Sequence, residues 1–131
     1  MQTIRSFILC AAALACQGAV TVDYPQAGTL FPPGIAPPRI EWRDSSKATW
    51  WRIDVSFDGR FPALHATSRG PRIQIGPIDP DCVAESNKPP ALTPEQAAAR
   101  TWRPDAATWA LIQKRSPARI VIRGYAGQQS L

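Results

Sequence analysis

The sequence predicts a mainly β domain built as a sandwich, with one or two short helices set before its final strand. Three observations carry that expectation. In Trp51-Arg52-Ile53-Asp54-Val55-Ser56-Phe57 the apolar residues fall on every second position, the period of a strand with one dry and one wet face. The chain holds 14 prolines in 131 residues, which forbids long uninterrupted helices and suits short strands joined by irregular loops. Five tryptophans and an apolar content of 44% exceed what a disordered chain carries.

The N-terminus reads as an export signal. Residues 1–6 carry one basic residue, Arg5, and residues 7–15 form an uncharged apolar run. That run is too short to span a bilayer and about right for the central region of a secretory signal. Ala13-Leu14-Ala15-Cys16 resembles a bacterial lipobox, although Ala13 stands where Leu is commoner. The resemblance implies a lipid anchor on Cys16, and Gln17 after it implies an outer-membrane periplasmic face. The same residues also serve as an ordinary small-x-small cleavage site, and a cut after Ala19 is a further reading. With residues 1–15 as signal, 116 residues remain, enough for one domain and hardly for two. Residues 16–23 then form a tether, 24–125 the domain, and 126–131 a tail.

Taken in order, Val20-Thr21-Val22 is either a short first strand or part of the tether. Ile40 and Trp42 alternate ahead of a polar turn at Asp44-Ser45-Ser46-Lys47, where Asp44 serves only the turn, and residues 51–57 end at the turn pair Asp58-Gly59. Residues 61–68 suggest a short edge strand with His65 on it, and Arg72-Ile73-Gln74-Ile75-Gly76 alternates again as a strand. Residues 77–103 read as an insertion containing its own helix. There Thr93 is the N-cap, Pro94 takes the first helical position and Gln96 completes a capping box. Asp105 opens a second helix in which Ala106, Trp109 and Ile112 share a face, Lys114 and Arg115 complement the dipole, and Ser116-Pro117 stops it. Ile120-Val121-Ile122-Arg123-Gly124-Tyr125 is the last strand.

A Pro-rich lead, a Trp-bearing strand (Ile40-Glu41-Trp42) and a strand of the form aromatic-x-Ile-x-Val (Trp51-Arg52-Ile53-Asp54-Val55) resemble fibronectin type III and related immunoglobulin-like modules of bacterial exported proteins. Residues 104–114 resemble the short helix that such envelope versions place before the penultimate strand. Two departures stand out: the 77–103 insertion, and a tail too short and polar for a seventh strand. Either the sandwich is incomplete, or strand one fills that gap, or the chain matches the front of a longer envelope protein; an open sheet edge invites pairing with another strand.

Chemistry is sparse. His65 is the only histidine and has no nucleophile–acid partners that spacing can place, so no catalytic residue and no enzyme activity is expected. One His and one Cys in the domain make no zinc spacing, and no cofactor motif is present. Cys82 reads as a half-buried free thiol, with a Cys16–Cys82 disulfide or an intermolecular bond as the alternatives. Asp79 and Asp81 flank Pro80 as turn or cap residues rather than as a calcium site.

Trp42, Trp51 and Trp109 fall at core positions by periodicity. Trp50 faces away from Trp51, so it is either an exposed stacking platform for a sugar or partner, or it lies beneath the insertion against Trp102. The cost of a bare indole favours burial. From residue 100 onward Arg100, Arg103, Lys114, Arg115, Arg119 and Arg123 face a single acid, Asp105, a net of +5. Such a basic end suits a solvated face, or contact with acidic glycans or lipid headgroups. The expectation is therefore an exported, lipid-anchored binding or structural module of a bacterial envelope that meets a protein, with no nucleic-acid partner. The alternative is a carbohydrate-binding module using Trp50 or Trp102. Candidate binding residues are Trp50, Trp102, Arg100, Arg103, Arg119 and Arg123.

Overall fold

The structure, a computed structural model, describes residues 20–59 and 61–127; the proposed signal segment and Cys16 lie outside them. In chain order the elements are β1 (Val20–Tyr24), β2 (Ile40–Asp44), β3 (Trp50–Phe57), β4 (Leu64–Ser68), a 3₁₀ turn (Pro80–Cys82), α1 (Pro94–Ala98), β5 (Arg100–Trp102), α2 (Ala106–Arg115) and β6 (Ala118–Tyr125). The strands make two antiparallel three-stranded sheets, ordered β1-β2-β5 and β4-β3-β6. Neighbours in sequence such as β2 and β3 lie in different sheets, so the chain crosses between layers and the product is a β-sandwich with short helices.

Alternation sets the core. β3 buries Trp51, Ile53 and Val55, β2 buries Ile40 and Trp42, and β6 buries Ala118, Ile120 and Ile122. Trp109 and Ile112 of α2, with Phe31 from the first loop, close the core. Each large apolar side chain so buried stabilises the fold by about 1.5–3 kcal/mol. β3 and β6 pair over eight residues, from Trp50↔Tyr125 to Phe57↔Ala118, which makes β3 the spine of its sheet.

The helices follow their caps. Thr93 accepts from the Gln96 amide while the Gln96 side chain takes the Thr93 N–H, a complete capping box. Asp105 caps α2 by accepting from the Thr108 amide at 2.7 Å, which lowers the Asp105 pKa from its usual value. On α2, Trp109 and Ile112 turn inward and the Trp109 indole N–H donates to the Ile35 carbonyl at 2.9 Å. Ala106, expected on that face, is exposed.

Several expectations are corrected. Arg72 to Gly76 forms no strand: only Arg72 makes a bridge, to Arg100, and Ile75 is exposed. A strand that the sequence reading did not expect, β5, forms inside the predicted insertion, where it pairs with β2 from Ile40↔Trp102 to Trp42↔Arg100. β1 is a strand but pairs with β2, so it does not fill the place beside β6. Cys82 is free and exposed rather than half-buried. Asp44 does more than turn the chain: its carboxylate accepts the Trp51 indole N–H at 2.7 Å and the Ser46 amide at 2.7 Å.

Candidate functional site

The outer face of the β4-β3-β6 sheet concentrates the chemistry, and register assembles it. On β3 the outward row is Trp50, Arg52, Asp54 and Ser56. Pairing sets Tyr125 beside Trp50, Arg123 beside Arg52, Val121 beside Asp54 and Arg119 beside Ser56. On the other flank His65 of β4 lies beside Asp54 and Thr67 beside Arg52. Residues directly paired across antiparallel strands project on the same side of the sheet.

Asp54 is the hub. Its Oδ1 meets Arg52 Nε at 2.8 Å and His65 Nδ1 at 2.6 Å, while its Oδ2 meets Arg123 Nη1 at 2.5 Å. Burial alone raises the Asp54 pKa, but hydrogen bonds and positive charge from Arg52 and His65 outweigh it, and the net direction is down. The same bond and charge raise the Arg52 pKa further above its ordinary value. His65 Nδ1 also lies 3.2 Å from Arg52 Nη2. One ring nitrogen cannot both donate to a carboxylate and accept from a guanidinium, so the shorter contact assigns the proton to Nδ1. Arg119, two residues before Val121, has no ion-pair partner among the described residues.

At one end of this row Trp50 and Tyr125 stack, ring centroids 4.4 Å apart and planes 14° from parallel. Trp50 therefore packs against Tyr125 and not against Trp102 beneath the insertion. Its indole N–H is buried without a hydrogen-bond partner among the described residues, while Tyr125 remains 38% exposed.

The predicted candidates divide accordingly. Trp50, Arg119 and Arg123 share this face. Trp102 and Arg100 lie on the inward side of β5, in register with Ile40 and Trp42. Trp102 packs against the core. The Arg100 guanidinium sits 5.1 Å from the Trp51 ring and donates to the Gly70 carbonyl at 3.2 Å, and burial lowers its pKa. Arg103 is exposed between β5 and α2. The lipidation candidate Cys16 lies outside the described residues.

Sequence alternation placed Arg52 and Asp54 outward but missed them as a network with His65, and it missed Tyr125. Both omissions depend on strand register. Asp79 is a cap, accepting from the Asp81 amide at 3.0 Å. Among the described residues no three His, Cys, Asp or Glu side chains stand together as a metal site, and no helix is long and apolar enough to cross a membrane.

Among the described residues β1, β4 and β6 are edge strands, each paired with another strand on one side only, and β6 is the longest of them at eight residues, against five for β1 and β4. β6 pairs with β3 along one side, and among the described residues no strand pairs with its other side. Alternate backbone N–H and C=O groups of an eight-residue strand thus point away from the sheet. Comparison of the chain with protein-family profiles, with curated proteins and with solved structures gives no match.

Proposed function

We propose that this chain is an exported, non-catalytic interaction module of a bacterial envelope, resembling fibronectin type III domains and held at the membrane through Cys16. The observation that carries the interaction reading is the eight-residue margin of β6, the longest edge with which no strand pairs among the described residues. An open edge is a template for main-chain hydrogen bonding with another segment, and β-strand addition is a recurrent mode of peptide recognition. The strand order supports the fibronectin-like reading, because a seventh strand of such a sandwich belongs beside β6.

Protein contact is favoured over glycan stacking by the state of the indoles. Trp50 gives one face to Tyr125 and its N–H is buried, while Trp102 packs against the core. A photo-cross-linking residue at Val121 on β6, compared with one at Thr21 on β1, tests the reading in cells. Adducts with an envelope protein at position 121 and none at 21 are expected. Equal labelling, or glycan binding abolished by Trp50→Ala in a folded protein, would reject it. Palmitate-analogue labelling that disappears in Cys16→Ser is expected for the anchor.

A further inference from the structure

We infer that the vacant side of β6 receives an extended peptide segment of another protein in which apolar residues alternate with acidic ones. This rests on the interaction reading above and adds the chemistry of the partner. The inward row of β6 is Ala118, Ile120, Ile122 and Gly124, and the outward row is Arg119, Val121, Arg123 and Tyr125. A strand laid alongside continues both rows, because side chains alternate between faces on every strand.

On the inward side, β1 of the facing sheet lies against β6, and its Val20 and Val22 pack on the core while only partly buried. Ile122 is the most exposed of the buried core isoleucines, at 7% against 0–2% for Ile40, Ile53, Ile112 and Ile120. These three residues are where additional apolar side chains extend the core rather than crowd it. On the outward side, Arg119 has no ion-pair partner among the described residues, and Arg123 engages Asp54 through Nη1 alone. Opposite charges across paired strands are favourable and like charges are not, so the flanking positions select Asp or Glu.

Charge also decides against a second copy. Pairing β6 with itself brings two sets of Arg119 and Arg123 onto one face, next to both copies of Arg52. The chain's own stretches 1–19 and 128–131 contain no acidic residue and do not match the pattern.

The test titrates ¹⁵N-labelled protein with a ten-residue peptide of alternating valine and glutamate, and with its valine–lysine counterpart, following amide exchange and chemical shifts. The expected result is protection of alternate β6 amides by the glutamate peptide, with affinity about tenfold above the lysine peptide and a preference that weakens with added salt. Arg119→Glu, on an exposed side chain, should cut that preference to about threefold. The double variant with Arg123→Glu should invert it if the protein folds. Equal protection by both peptides overturns the acidic specificity while leaving the edge as a strand acceptor. If neither peptide touches a β6 amide at millimolar concentration in folded protein, both readings fall. Sedimentation showing a dimer that protects β6, or shifts at Arg52 and Arg123 produced only by an oligogalacturonate, would likewise overturn the inference in favour of a second copy or an anionic glycan.

Discussion

The outer faces of the two sheets handle charge differently. On the β1-β2-β5 side, cations and acids pair one to one: Arg43 grips Asp23 through two nitrogens, and Arg39 meets Glu41. On the β4-β3-β6 side a single carboxylate, Asp54, serves Arg52, His65 and Arg123, and Arg119 is left over. The first face is locally neutral and closed upon itself. The second carries excess positive charge beside the outer margin of β6, with which no strand pairs among the described residues. A surface whose charges are mutually satisfied has little to offer a ligand, whereas the second keeps donors in reserve.

The largest effect should come from breaking the joint between the sheets. A Cβ at Gly124 falls 2.4 Å from Asp44 Oδ2 and 2.7 Å from the Ala48 Cβ, so Gly124→Ala must push β6 away from the end of β2. A loss of about 3 kcal/mol in a urea titration is expected; an unchanged midpoint would contradict the packing described for Trp51 and Asp44.

Next is the hub. Asp54→Asn leaves Arg52, His65 and Arg123 facing one another without a counter-charge, and about 1–2 kcal/mol should be lost. The matching Asp23→Asn on the opposite face should leave the urea midpoint unchanged within error, and equal losses would erase the contrast. Acid titration sharpens it. Because the Asp54 pKa is lowered on folding, its contribution is present above the unfolded value, about 3.9. It is lost as pH falls through the still lower folded value. The parent should therefore lose stability more steeply than Asp54→Asn below about pH 4, as read from midpoints across that range. A smaller change, about 1 kcal/mol, is expected for Tyr125→Ala, which removes the stack on Trp50; altered Trp fluorescence without that loss would confine the stack to a surface contact.

Local signals were legible in the sequence and register was not. The Thr93–Gln96 capping box and the Asp105 cap could be read because each depends on residues three apart. The alternation in β3 was equally plain. β5 was hidden, since Arg100-Thr101-Trp102 carries no period of its own and is a strand only because β2 stands beside it. Conversely, Ile73-Gln74-Ile75 alternates but finds no partner strand. For the candidate surface, sequence turned Trp50, Arg52 and Asp54 to one side. Which residues of β4 and β6 would join them was fixed by pairing across chain separations of 11 for His65 and 69 for Arg123.

The small bridge between Arg72 and Arg100 has a larger meaning for how this chain can change. Around it, Thr101 takes the Pro71 carbonyl through both its amide and its hydroxyl, and Arg72 reaches the carbonyls of Ala97 and Ala98. The chain leaves the sandwich and re-enters it at one point, so the stretch between is tied off at its neck. Halving such a loop alters the entropy of closing it by only about 0.6 kcal/mol. Residues 73–92, which are mostly exposed and lie ahead of the Ala97 and Ala98 carbonyls that close the neck and of the buried Ala99, are thus a removable cassette: they can be shortened, lengthened or replaced by a foreign peptide while the strands on either side keep their register.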